Sequence, residues 1–178
     1  MRIASIALRK LKMRLKSPFE TSFGATHDRT VVLVEVLADG LTGWSEVAAS
    51  EGPFYNSETG DTAWLIIRSK WAASAATPAL AKSRLCASHA TYPHGVAACS
   101  SAVSAAPHNI AFSSLPGYTR PGDVSASKRY WEEDVIDPPV EVSPRGTIQV
   151  PSSPGLGYHV RRELIERWTT EEETRRVR

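Results

Sequence analysis

The stretch Thr30-Val-Val-Leu-Val-Glu-Val-Leu-Ala-Asp-Gly-Leu-Thr-Gly-Trp-Ser-Glu-Val-Ala48 decides the fold class. Its first part, residues 30–37, is rich in β-branched residues and predicts a strand. Asp39 and Gly40 then form the residue pair that tight hairpin turns favour, because such turns need a positive φ at both central positions. Residues 41–48 return as the antiparallel partner. The stretch therefore predicts the centre of an antiparallel sheet.

The segments on either side extend this unit. Residues 2–15 alternate apolar and polar side chains, which is the period of a half-buried strand, and Pro18 is expected to end it. Residues 18–29 show little periodicity and predict a loop. From about Ser57, a candidate N-cap, apolar residues recur at helical spacing, and Asp61 suits the first turn. Residues 1–72 thus predict a three-stranded antiparallel sheet followed by a helix.

The second half of the chain contains shorter elements. Residues 108–115 and 125–131 predict short helical turns, and residues 135–142 and 147–150 predict strands. Residues 160–168 predict a helix with three apolar side chains on one face, and the charged tail after it is expected to be frayed. The apolar face consists of Leu164, Ile165 and Trp168.

Five sequence motifs, three near the start and two near the end, point to one family. They are Pro18-Phe-Glu-Thr-Ser-Phe-Gly24, Gly43-Trp-Ser-Glu46, Glu51-Gly-Pro-Phe-Tyr-Asn-Ser57, Leu115-Pro-Gly-Tyr-Thr-Arg-Pro-Gly-Asp-Val-Ser-Ala-Ser127 and Val150-Pro-Ser-Ser-Pro-Gly-Leu-Gly157. With these motifs the chain resembles the o-succinylbenzoate synthase and N-acylamino acid racemase group of the enolase superfamily. The resemblance covers residues 1–68 and 108–170.

The resemblance implies an α+β fold, an enolase N-terminal-like capping domain in residues 1–72. Residues 108–170 then correspond to the last barrel helix and to a C-terminal segment that returns to the capping domain, followed by a charged tail at 171–178. A complete (β/α) barrel needs about 250 residues, with about 200 as the lower end. The 178 residues of this chain cannot hold such a barrel as well as a capping domain. We expect the fold to lack most of the barrel.

Residues 73–107 form an irregular junction between the two regions of resemblance. Half of residues 70–107 are Ala or Ser, with no sustained period, and such composition buries little apolar area. A flexible linker and an Ala-rich helix are two interpretations. A deletion junction or partly out-of-frame translation is a third, and we favour it because the family-like sequence stops near Arg68 and resumes abruptly at His108.

The chemistry implied by the resemblance is metal-assisted abstraction of a proton α to a carboxylate, in a dehydratase (a lyase) or a racemase. In the family, Mg²⁺, its carboxylate ligands and the base lysines act on a small carboxylate substrate inside the barrel. None of the family's metal signatures occurs here. The one Lys-x-Lys pair, Lys10 and Lys12, lies in the first strand as a solvated face, and the consecutive carboxylates of residues 132–134 point apart. We therefore predict no catalytic residue, no metal ligand and no Mg²⁺ binding in this chain.

Two other interpretations stay open. In the second interpretation, the chain is a non-catalytic capping-domain remnant or interaction module from a damaged gene. This interpretation predicts self-association through exposed apolar surface. The third interpretation is an unfolded or molten chain.

The resemblance also implies a substrate-binding set in the two loops of the capping domain. Phe19 and Phe23 of the first loop, and Ser50 and Tyr55 of the second, match positions that line the substrate's side chain. For the two phenylalanines, core packing is the alternative. Ser50 departs from the apolar residue common at its position, and Ser45 replaces a glycine of the family motif.

Composition excludes several classes of protein. The net charge is +2 with dispersed basic residues, which argues against nucleic-acid binding. No apolar run approaches the about 20 residues of a membrane span, and the charged N-terminus does not resemble a signal peptide. Cys86 and Cys99 form no C-x-x-C pair. We expect a cytoplasmic protein without a membrane partner.

Overall fold

The protein, described by a computed structural model, is built on a four-stranded antiparallel sheet. The structure describes residues 2–22, 24–47, 49–53, 57–74 and 105–177, excepting the side chains of residues 70–74 and 105. The strands of the main sheet are β1 (Ile3–Thr21), β2 (Gly24–Ala38), β3 (Leu41–Val47) and β6 (Thr169–Arg176), in the order β3-β2-β1-β6. A small second sheet pairs β4 (Ile136–Asp137) with β5 (His159–Val160). The helices are α1 (Gly60–Ser74), α2 (Ala105–Ser113), α3 (Arg162–Trp168) and a 3₁₀ turn at Ser127–Arg129.

The predicted central hairpin is confirmed. β2 and β3 pair from Val32↔Val47 to Ala38↔Leu41, which leaves two residues in the turn. Asp39 and Gly40 both have positive φ, 48° and 79°. An Asp-Gly pair adopts these angles at little cost, so the register of the hairpin follows from the sequence.

The predicted loop at residues 18–29 is wrong, because β1 and β2 continue as a ribbon. Beyond a register shift between Arg14 and Phe19, pairing resumes at Phe19↔Thr26 and ends at Thr21↔Gly24. Pro18 falls within this irregularity, where a strand tolerates a residue without an N–H group. The proline interrupts the ladder of hydrogen bonds and does not end the strand.

The alternating side chains of β1 and β2 supply two apolar faces. One face packs against α1, through a cluster of Ile6, Leu8, Val32 and Trp64. The opposite face is covered by the C-terminal half of the chain, in a larger cluster of Leu11, Met13, Leu15, Val31, Leu33, Ile110, Trp131, Val135, Ile136, Val140, Leu164 and Ile165. The sheet is therefore the middle layer, and burial on both sides is the main stabilising contribution.

Helix α1 begins three residues after the predicted N-cap. Thr59 caps it, since the Thr59 Oγ1 accepts a hydrogen bond from the Thr62 N–H at 3.2 Å and the Thr62 Oγ1 accepts one from the Thr59 N–H at 2.9 Å. This reciprocal pair resembles a capping box. Asp61 lies in the first turn as predicted.

The C-terminal helix is confirmed and the predicted strands before it are largely wrong. In α3, Leu164 and Ile165 are buried and Trp168 packs against the same cluster. The strand predicted at residues 135–142 is reduced to Ile136–Asp137, because Pro138 and Pro139 have no N–H groups to continue a ladder. Residues 147–150 form no strand; the Ser143 N–H donates to the Thr147 carbonyl at 2.9 Å across a turn.

The charged tail is ordered, which corrects the prediction that it frays. β6 pairs with β1 from Leu11↔Thr169 to Ser5↔Arg176. Its glutamates meet cations from elsewhere in the fold, in the ion pairs Lys10–Glu171, Arg9–Glu172 and Arg68–Glu173. The tail is thus the fourth strand of the sheet.

Candidate functional site

Phe19 lies in the distal part of β1 and is half-buried. Its ring packs against the C-terminal cluster and meets Tyr130 edge-on, with ring centroids 6.4 Å apart and an interplanar angle of 63°. This geometry is one that aromatic pairs prefer. The contacts of Phe19 match the core-packing alternative, and the residue as a whole stays partly exposed.

Ser50 is exposed, and its backbone joins the loop before α1 to the start of that helix. Ser50 forms an isolated parallel bridge with Thr59, and the Ser50 carbonyl accepts a hydrogen bond from the Gly60 N–H at 3.1 Å. Phe19 and Ser50 therefore belong to different layers, one packed on the C-terminal side of the sheet and one attached to α1. Phe23 and Tyr55, the other two predicted lining residues, lie outside the described residues.

The Lys-x-Lys pair of β1 was predicted to be a solvated face, and this holds only for Lys12, whose side chain is 58% exposed, whereas that of Lys10 is 18% exposed. The Lys10 ammonium contacts Asp61 at 2.9 Å and Glu171 at 3.0 Å, and lies 5.2 Å from the centre of the Trp64 ring. The hydrogen bond to Asp61 raises the pKa of Lys10 above its ordinary value. Lys12 pairs with Asp28 at 3.7 Å. A raised pKa keeps an amine protonated, which is the opposite of what a general base requires.

The three consecutive acids of residues 132–134 do not converge. Glu132 faces Lys16, Glu133 faces Arg161 and Arg167, and Asp134 is buried. Within the described ranges, no three His, Cys, Asp or Glu side chains are grouped so that they could hold a metal ion.

A charged cluster that sequence reasoning missed lies on the C-terminal side of the sheet. Glu35 of β2 forms ion pairs with both Arg9 of β1 and Arg162 of α3. The two guanidinium carbons lie 5.9 Å and 5.1 Å from the centre of the Trp44 ring, within the range of cation–π attraction. We call Arg9, Glu35, Trp44 and Arg162 the Glu35 cluster. Only Trp44 was noticeable from sequence, as part of the Gly43-Trp-Ser-Glu46 motif, because the other three come from distant segments.

Besides the Glu35 cluster, sequence reasoning also missed the buried acid Asp134. It is 9% exposed, and its Oδ1 atom accepts no hydrogen bond within the described part of the chain. Burial is the main cause that raises the pKa of this carboxyl from 3.8 to about 6, and the nearby charge of Glu46 adds to it. A weak sequence signal existed, because Asp134 directly precedes the buried residues Val135 and Ile136.

The chain matches the model of a known protein family. Residues 3–111, more than half of the chain, match the family model of the mandelate racemase and muconate lactonizing enzyme N-terminal domain. The chain belongs to this family. The match runs across residues 73–107, and the deletion or frameshift origin of that stretch stays a prediction.

Curated relatives agree with the resemblance seen in the sequence. The chain is 53% identical over 62 residues to an o-succinylbenzoate synthase from Geobacillus stearothermophilus. It is 44% identical over 62 residues to an N-succinylamino acid racemase from Thermus thermophilus. Each match covers 35% of this chain and spans 16% of the length of the relative.

Solved structures confirm the fold. A probable mandelate racemase from Alicyclobacillus acidocaldarius superposes with a TM-score of 0.74 at 14% identity, covering 97% of each chain. An enolase-superfamily member from Listeria innocua gives 0.73 at 13% identity, covering 98% of this chain and 99% of the other. The predicted α+β capping-domain class, without a complete barrel, is thus confirmed. No helix among the described residues has both the length and the apolar character needed to cross a membrane.

Proposed function

We propose that this chain is the capping part of an o-succinylbenzoate synthase or N-acylamino acid racemase type enzyme. Such an enzyme abstracts a proton α to the carboxylate of a small substrate with the help of Mg²⁺. The observation that carries the proposal is the identity of 53% and 44% to a synthase and to a racemase of the same group. The metal ligands and base lysines that this reaction needs are absent from the sequence, so we propose that the chain alone is inactive.

The proposed role of the chain is to cover the substrate's side chain. Phe19, Phe23, Ser50 and Tyr55 are the residues proposed for this role. The partial exposure of Phe19 supports an apolar contact, and Ser50 is exposed beside the start of α1. Their separate layers mean that a substrate would bridge the end of the β1–β2 ribbon and the loop before α1, as in a site formed between domains.

The covering role is tested by transplanting residues 1–72 into the N-succinylamino acid racemase of Thermus thermophilus, in place of its corresponding segment. We expect the chimaera to racemise an N-succinyl amino acid with an apolar side chain. We expect Phe19→Ala to raise KM about tenfold, since a lost aromatic contact is worth about 1–2 kcal/mol. Phe19→Leu, which keeps an apolar side chain, should restore most of the affinity. An unchanged KM in a folded Phe19→Ala chimaera would contradict the lining role.

The proposed inactivity has its own test. The purified chain is incubated in D₂O with an N-succinyl amino acid and MgCl₂, and the α-proton signal is followed by NMR. We expect no loss of the signal beyond the rate without protein. Exchange that depends on the chain and stops when EDTA is added would overturn the proposal.

A second candidate function is that of a capping-domain remnant or interaction module, without any catalytic partner. The exposed apolar side chains of Leu41, Leu65 and Ile66 favour it, with 70%, 61% and 58% exposure. This function predicts self-association in sedimentation velocity, reduced by the double change Leu65→Glu and Ile66→Glu. A monomer at all concentrations would count against it.

A further inference from the structure

Residues 127–140 form a closed arch on the C-terminal side of the sheet. The Ser127 N–H donates to the Val140 carbonyl at 2.9 Å, and the Val140 N–H donates to the Ser127 Oγ, also at 2.9 Å. These two hydrogen bonds join the ends of the arch, and both Ser127 and Val140 are buried.

The arch connects the sheet to the C-terminal block, by which we mean residues 108–168. On one side, the Lys16 N–H of β1 donates to the Tyr130 carbonyl at 2.9 Å. On the other side, the Arg161 N–H, just before α3, donates to the Val135 carbonyl at 2.7 Å. Trp131 and Val135 belong to the large apolar cluster beneath the arch. Opening the arch would therefore loosen the attachment of α3 to β1.

Asp134 lies inside this arch as a buried acid with half of its carboxyl unsatisfied. The Ser127 hydroxyl and the N–H groups of Val135 and Ile136 favour its charged form. The Ser127 oxygen already accepts from Val140, so its single proton is available for Asp134. Oδ1 is buried and has no hydrogen-bond partner among the described residues, and a buried charge without full compensation is costly.

The charged groups around Asp134 do not compensate it. Glu46 of β3 adds a negative charge that raises the pKa of Asp134 further. The Arg161 guanidinium approaches only the Asp134 main-chain carbonyl, at 3.5 Å, and forms ion pairs with Glu133 and Glu163. Lys16 is paired with Glu132. No ion pair in the described part of the chain includes the Asp134 carboxylate.

We propose that Asp134 makes the arch a proton-operated latch. The latch is closed when the buried carboxyl is neutral, and it loosens when the carboxyl ionises, which weakens the attachment of the C-terminal block to the sheet.

The direction of the pH effect follows from the pKa of about 6 in the closed arch, above the ordinary value of 3.8. The closed arch binds the proton more tightly than the open arch, so opening becomes easier as pH rises through the closed-state pKa. Linkage between these two values predicts that the opening equilibrium increases about tenfold between pH 5 and pH 7.5.

The test is hydrogen exchange by NMR on the full chain, with rates corrected for intrinsic pH dependence. We expect the protection of the Val140 and Ser127 amides to fall about tenfold between pH 5 and pH 7.5. Amides of the β1–β2 ladder, such as that of Leu33, should change much less. In Asp134→Asn the pH dependence at Val140 should disappear, whereas Glu141→Gln, which alters an exposed acid next to the arch, should leave it unchanged.

Two further measurements keep the proposal testable if Asp134→Asn does not fold. NMR titration of the Asp134 carboxyl in the unaltered chain should give a midpoint near 6, and Glu46→Gln should move that midpoint to lower pH. A midpoint near 4, or equal pH dependence at Val140 in Asp134→Asn and in the unaltered chain, would overturn the latch.

Discussion

Position 157 requires a glycine for two separate reasons. Gly157 has φ +75°, a conformation that residues with a side chain rarely adopt, and a Cβ atom there would lie 2.1 Å from Pro151 Cβ. Pro151 belongs to the same turn, so the loop from Val150 to Gly157 closes directly onto this glycine. The motif that pointed to the family therefore has a structural cause at this position.

We expect Gly157→Ala to destabilise the protein by about 3 kcal/mol, since the left-handed conformation costs about 1–2 kcal/mol and the overlap adds about 1–3 kcal/mol. Gly155→Ala is the matched control. Gly155 has φ +79° with no atom within 4 Å of the added Cβ, so only the conformational cost of about 1–2 kcal/mol applies. Urea denaturation measures both. Equal losses for the two variants would show that the contact with Pro151 does not matter.

Single residues also show where sequence reasoning stops. The Asp39-Gly40 turn was predictable because its requirement is local and only a few residue types meet it. The burial of Asp134 was not, because it depends on a hydrogen bond to Ser127 and on packing against residues far along the chain. For Phe19, the sequence could not distinguish core packing from substrate lining, since both use an apolar ring.

Among the elements, the Glu35 cluster joins three strands of the sheet to helix α3. The Glu35 side chain is 11% exposed, and its carboxylate pairs with the guanidinium groups of both Arg9 and Arg162. Both guanidinium groups also lie near the Trp44 ring. The Arg9 Nε atom is buried without a hydrogen-bond partner among the described residues. The positive charge of Arg9 is therefore stabilised by its ion pairs with Glu35 and Glu172.

We expect Glu35→Gln to cost roughly 2–4 kcal/mol, because it removes the more buried carboxylate partner of Arg9, whose side chain is only 12% exposed, as well as the partner of the half-exposed Arg162. Glu172→Gln removes another carboxylate that contacts Arg9, but that side chain is 46% exposed, so the expected cost is at most about 1 kcal/mol. Thermal unfolding of both variants makes the comparison. A smaller loss for Glu35→Gln than for Glu172→Gln would contradict the central position of Glu35.

Strand β6 shows why an element can escape prediction. Its sequence, Thr169-Thr-Glu-Glu-Glu-Thr-Arg-Arg176, has no apolar alternation, so nothing local marks it as a strand. The cations that make it stable there, Arg9 and Lys10, lie on β1 about 160 residues earlier. Charged side chains are common on edge strands, where they discourage pairing with other chains. The strand is fixed by its partner and not by its own propensity.

Deleting residues 169–178 tests this assignment. We expect the deletion to lower the midpoint of thermal unfolding by several degrees, because β1 loses a neighbouring strand along Ser5–Leu11 and the contact of Val177 with the α1-side cluster. A frayed tail would predict an unchanged midpoint. Circular dichroism at 218 nm during heating distinguishes the two outcomes.

At the scale of the whole molecule, the N-terminal block (residues 2–74) and the C-terminal block form one structure. β6 completes the sheet of the N-terminal block, and α3 with the arch covers one of its faces, while α1 covers the other. This arrangement accounts for a chain in which residues near both ends resemble one family. The ends stabilise each other through a shared sheet and a shared core.

The most direct test of this central claim is the set of NOEs across β1 and β6 in the isotope-labelled full chain. We predict cross-strand NOEs at the register pairs Ala7–Thr174 and Arg9–Glu172, together with slow amide exchange in β6 comparable to that in β2. The absence of these NOEs in a folded chain, with β6 amides exchanging as fast as free peptide, would contradict the account.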